Sequence, residues 1–174
     1  MNLSKIHKNL WLGNKKTAVE YMFDTNICTA GESTCNYTPR SKRTKLRKVI
    51  MRDTKDTSFK NFIKHMEQAR HYLKQELDRG HTVQLHCYAG INRSCSSIVY
   101  YAMTERGIPF SAARDMIREA KFILDQENAI FTSHRNVLLG SAFRKYTIIN
   151  PIFRKYLKYI DACLRNGIRY PYKT

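Results

Sequence analysis

The chain has 174 residues, 43% hydrophobic and 26% charged, a balance that suits one globular domain able to bury its own core. No apolar run approaches the roughly 20 residues that span a bilayer. The N-terminus (Met1 to Lys5) lacks the apolar stretch of a secretory signal, so an intracellular protein, cytoplasmic or nuclear, is expected. The formal net charge of +17 says nothing about fold but favours anionic partners such as phosphoproteins, nucleic acid or acidic lipid.

In chain order, residues 6–12 predict a short strand entering a Gly13-Asn14 turn, residues 17–23 one or two helical turns, and Thr25 to Thr29 a second strand. Gly31 to Ser41 is rich in Gly, Ser, Thr, Asn and Pro and predicts a loop. Arg40 to Lys48 carries six basic residues in nine, and is read as either a solvated basic loop or a nucleic-acid patch. Val49-Ile50-Met51 predicts a buried strand. Ser58 then caps a helix whose apolar positions, from Phe59 to Leu77, follow the i, i+3, i+4 spacing of a face turned to the core. Gly80 suits its left-handed cap, and His81 to His86 alternates like a strand.

Beyond residue 93 helices dominate. One runs to Gly107 and Pro109, a second is capped by Ser111, and a third segment covers about His134 to Tyr146. Asn150-Pro151 reads as the cap and first position of a last helix ending near Gly167. The fold class expected is α/β, a single central sheet flanked by helices. The expected organisation is a domain over 1–148 and a basic C-terminal helix over 149–174, packed on it or used for interaction, with homo-oligomer formation one such use.

Five cysteines form no C-x-x-C pair and no zinc spacing, so no metal, cofactor or disulfide framework is expected. Cys28 and Cys163 read as small buried hydrophobes. Cys87 differs because of its neighbours in His86-Cys87-Tyr88-Ala89-Gly90-Ile91-Asn92-Arg93-Ser94. A loop between a strand and a helix N-terminus offers unpaired N–H groups and partial positive charge to an anion. Gly90 lets that loop curl, and Arg93, six residues after the cysteine, can return to clamp two phosphate oxygens. The same field favours the Cys87 thiolate, the nucleophilic form.

The segment H-C-x-x-G-x-x-R-S resembles the signature loop of the protein tyrosine phosphatase superfamily, and the small dual-specificity (VH1-like) branch is the best match. The segment I-H-K-N-L-W-L-G-N resembles the start of such domains, and the likeness runs from about Ile6 to Tyr146. The resemblance implies a protein tyrosine phosphatase-like fold and hydrolysis of protein phosphotyrosine and phosphoserine/threonine through a phosphocysteine on Cys87. It implies that Arg93 binds substrate and transition state, that Ser94 assists departure of the thiolate, and that His86 helps set the Cys87 pKa. Tyr88, Ala89, Gly90, Ile91, Asn92 and Arg93 would form the substrate cradle. The acid would be an Asp some thirty residues before the cysteine, and two stand there: Asp53, 34 residues before, and Asp56, 31 before. Asp53 is preferred because it stands just past the apolar run that ends at Met51. RNA 5′-triphosphatase activity is the second reading, with RNA as partner, and a non-catalytic phosphate-binding module is the third.

Overall fold

The computed structural model of the protein describes residues 3–131 and 147–171. A hairpin opens it: β1 (Ser4–His7) pairs antiparallel with β2 (Leu10–Asn14), so the predicted single strand over 6–12 is broken by a turn at Lys8-Asn9. There follow α1 (Lys15–Glu20), β3 (Thr25–Cys28), the single turn α2 (Glu32–Cys35), β4 (Lys45–Lys48), α3 (Phe59–Asp78) and β5 (Val83–Cys87). Helices α4 (Arg93–Arg106), α5 (Phe110–Phe131) and α6 (Pro151–Arg165) follow among the described residues. The predicted segment His134–Tyr146 lies outside the described residues. The sheet is five-stranded in the order β1-β2-β5-β3-β4, parallel except for the first pair.

Parallel pairing puts the C-terminal ends of β2, β3, β4 and β5 on one edge of the sheet, where ligand crevices form in open α/β folds. The alternation along the central strands assigns the faces. Leu12, Ile27, Val83 and Leu85 join Phe62, Ile63, Met66 and Leu73 of α3 and Ile98, Val99 and Tyr100 of α4 in the main core. The opposite face carries buried Asn26 and Gln84, whose amides donate to the Ala18 carbonyl (2.9 Å) and the Thr17 hydroxyl (2.5 Å) of α1. Close approach there requires Gly13, since a Cβ would stand 1.9 Å from Gln84 Nε2.

Three further expectations change. β4 lies within the basic run, not at Val49–Met51, because an edge strand tolerates charged side chains. Val49 and Met51 are buried beyond its end and bond backbone to backbone with Cys28 and Ala30 (2.8 and 3.0 Å). Helix α5 starts at Phe110 rather than after Ser111, its first N–H being capped from α6 by Asp161 (3.2 Å). Cys28 is buried as expected but is joined to Cys35 by a disulfide, because α2 folds back over the end of β3.

Helix α6 belongs to the main core. Asn150 caps it, Pro151 fills its first turn, and Phe153, Leu157 and Ile160 are fully buried, with Phe62 and Phe153 ring centroids 5.1 Å apart. Its apolar stripe is thus covered within the chain, leaving Tyr159 half exposed. Toward the far edge, the buried Glu76 of α3 holds β4 through Lys45 (2.8 Å) and also bonds Thr25 of β3 (3.1 Å) and His81 (2.8 Å). Among the described residues no helix is long and apolar enough to cross a membrane.

Candidate active site

β5 ends at Cys87, the connecting loop turns back under its own backbone, and α4 begins at Arg93. Gly90 makes the turn. Its φ is +71°, and a Cβ there would come within 2.8 Å of the Gly13 carbonyl oxygen. The Gly90 N–H donates to Cys87 Sγ at 3.2 Å and the Ser94 hydroxyl at 3.3 Å. Burial pushes the Cys87 thiol up, but the Ser94 hydroxyl and amide, the Arg93 charge and the Gly90 amide outweigh it and hold the thiol below its ordinary range. The Arg93 guanidinium donates from Nη1 to the Met51 carbonyl (3.2 Å), while its buried Nε has no hydrogen-bond acceptor. An oxyanion bound at the loop would supply one.

Two loop carbonyls are pinned from outside the loop. Lys121 Nζ of α5 and the Cys95 thiol donate to the Gly90 carbonyl (2.9 and 3.2 Å), and the Ile148 N–H donates to the Ile91 carbonyl (2.9 Å). In a planar trans peptide the N–H points opposite to the C=O, so this anchoring turns the Ile91 and Asn92 amides to the other side. Ile148 is buried with φ at +56°, a left-handed conformation that costs a β-branched residue about 1–3 kcal/mol. Burial pushes the Cys95 thiol up to about 11, so it serves the loop as a neutral donor.

The predicted cradle residues divide. Gly90 lines the sulfur, and Tyr88 projects from the loop, 69% exposed. Ala89 and Ile91 are half-buried. The Asn92 side chain turns to the rest of the site: Nδ2 donates to Asp53 Oδ2 (2.9 Å), and Oδ1 accepts the Asn150 N–H (3.1 Å). Asp53 is therefore brought to the loop, with Oδ2 also 3.9 Å from Arg93 Nε. Asp56 is fully exposed on the following turn, where the Thr54 side chain and its own amide hold its carboxyl below the usual range. His86 is buried and pushed down to about 4 by burial, so it is neutral at pH 7. Its Nδ1 lies 3.3 Å from the Cys87 carbonyl, which can only accept, so that nitrogen carries the proton and Nε2 accepts from Tyr37 O–H at 2.8 Å. Its charge does not act on the sulfur; its ring holds the Cys87 backbone.

Sequence reasoning did not single out Tyr37, Lys121 or, as a site residue, Asn150. Tyr37 stands in a loop without periodicity and Lys121 among many basic residues. Asn150 did carry a signal, Asn-Pro before an apolar stripe, but it reported only a helix start. Among the described residues no group of three or more His, Cys, Asp or Glu is arranged to hold a metal ion.

The sequence model of the family described as dual specificity phosphatase, catalytic domain, matches residues 10–134. Dual specificity protein phosphatase 1B of Arabidopsis thaliana is 24% identical over 125 residues, 69% of this chain and 72% of the plant protein. A protein of Acanthamoeba polyphaga mimivirus, named only provisionally as a tyrosine-protein phosphatase, is 30% identical over 64 residues. That match spans 37% of this chain and less than a third (30%) of the viral protein. The fold is shared with the crystal structure of human DUSP28, at a TM-score of 0.68 and 16% identity over 95% of this chain and 96% of that one. With the loop, the sheet and the sequence match in agreement, the chain belongs to the dual specificity phosphatase catalytic domain family.

Proposed function

We propose that the protein hydrolyses phosphotyrosine and phosphoserine/threonine monoesters on proteins through a phosphocysteine. The observation that carries this reading is the thiol at the centre of the loop, held below its ordinary pKa by the Ser94 and Gly90 donors and by Arg93. The Cys87 thiolate attacks phosphorus as the ester P–O bond breaks, and the Asp53 carboxyl gives its proton to the leaving oxygen. Water then attacks the phosphocysteine, its proton passes to Asp53, and the S–P bond breaks to release phosphate. The Ser94 hydroxyl, already 3.3 Å from Sγ, stabilises the departing thiolate. Arg93 spans the equatorial oxygens in both steps.

The test is phosphate release from peptides carrying phosphotyrosine or phosphothreonine, from triphosphate-ended RNA and from phosphoinositides, with wild type and Cys87→Ser. Release from both peptide types by wild type, and none above background by Cys87→Ser, is expected. Dominant release from RNA that survives loss of both Asp53 and Asp56 would overturn the protein-substrate reading. Full turnover by Cys87→Ser would overturn the chemistry.

A further inference from the structure

We infer that Asn150, at the head of the last helix, is a positioning residue for the proton-donating carboxyl of Asp53. This rests on the reading of Asp53 as the general acid. The Asn150 side chain works in two directions. Its Oδ1 accepts the Ile152 and Phe153 N–H groups at the start of α6 (3.0 and 3.3 Å). Its Nδ2 donates to Asp53 Oδ1 (2.9 Å) and to the Thr54 carbonyl (3.2 Å). The capping bonds settle the orientation of the amide, because only an oxygen can accept from two helix N–H groups. The NH2 group must then face Asp53.

Three residues close a ring. Asn150 holds Asp53 Oδ1, Asn92 holds Asp53 Oδ2, and the Asn150 backbone N–H holds Asn92 Oδ1. The supports differ in stiffness. Asp53 lies in a connection without regular structure between β4 and α3, whereas Asn150 heads a helix whose Phe153 and Leu157 are fully buried. Pro151 and the left-handed backbone of Ile148 fix the approach of the chain to that cap. The acid is thus aligned from the last helix rather than from its own segment. Each carboxyl oxygen accepts one amide N–H, and of the two Oδ2 lies on the Arg93 side, so the carboxyl presents that oxygen to the leaving group. The proton moves from that oxygen to the departing alkoxide or phenoxide.

The decisive variants are Asn150→Ser and Asn150→Asp, which both keep a capping oxygen for α6 and remove the amide donor. The quantity to measure is kcat/KM on two substrates. A phosphothreonine peptide releases a poor leaving group and needs the proton; an activated aryl phosphate needs it little. Thermal unfolding identifies a folded variant, and either one suffices. The expected result is a loss of about 10-fold on the peptide, part of the roughly 10²–10⁴-fold that a positioned acid contributes. On the aryl ester the loss should stay within about 2-fold, and inhibition by inorganic phosphate should be unchanged. In an Asp53→Asn background the added Asn150 change should have no further effect. Equal losses on both substrates, or a full extra loss in that background, would overturn the inference. Impaired Asp53→Asn beside wild-type-like Asn150 variants would overturn it alone, leaving the acid assignment standing. Wild-type turnover of the peptide by Asp53→Asn would overturn both.

Discussion

Asp53 and Asp56 are three residues apart, yet they face different surroundings, and the difference is one of partners rather than sequence distance. Asp53 receives amide donors on both oxygens and stands beside Arg93. Asp56 is fully exposed and bonded only locally. Asp53→Asn should therefore lower kcat/KM for phosphopeptides about 10²-fold or more and remove the basic limb of the pH profile. Asp56→Asn should stay within about 2-fold of wild type in the same assay, and a reversal of the two results would move the acid to Asp56. In the sequence Asp53 stands out because it follows Val49-Ile50-Met51 after a single residue, Arg52. That run lies past the end of β4 rather than forming the strand itself, with Val49 and Met51 buried and Ile50 exposed.

At the scale of elements, the strand–loop–helix around Cys87 was legible because its chemistry is local: six residues, one glycine and a helix start define it. β4 was not, since charged side chains on an edge strand leave no hydrophobic alternation to read. What holds that strand is Glu76. Burial pushes its carboxyl up, but Lys45, His81 and Thr25 together bring it down to about 2 from the usual 4.5. A depressed carboxyl stabilises the folded state fully above pH 4.5 and progressively less as pH falls to about 2. Urea unfolding should lose on the order of 2–3 kcal/mol across that window from this group. The Glu76→Gln protein should be less stable at pH 7 and show a flatter slope below pH 4.5. An unchanged slope would mean that Glu76 is not the linked group. Buried neutral His86 adds an earlier loss as pH falls from 6.5 to about 4.

Across the whole molecule, the contacts hardest to read from sequence are those that complete the site. Tyr37 reaches His86 across 49 residues, Lys121 reaches Gly90 across 31, and Asn150 reaches Asp53 across 97. Periodicity reports which face of an element is buried, not which distant loop its end will touch. The net charge was legible from the start, and its consequence belongs at this scale. A field set by +17 charges should speed encounter with anionic substrates and be screened by salt. Raising ionic strength from 0.02 to 0.5 M, that is from a Debye length of about 20 Å to about 4 Å, should depress kcat/KM for an acidic phosphopeptide several-fold more than for a small aryl phosphate. Equal salt dependence would show that the field does not steer macromolecular substrates.

The separation of 97 residues between Asp53 and Asn150 also has a temporal side. A ribosome makes the chain from its N-terminus, so Cys87, Arg93 and Asp53 are all synthesised well before the helix that aligns the acid. Until that helix docks, the growing chain holds a nucleophile and an anion clamp with an unaligned proton donor. On the proposed roles, competence toward poor leaving groups thus arrives only when α6 docks, after the nucleophile and the clamp have been made.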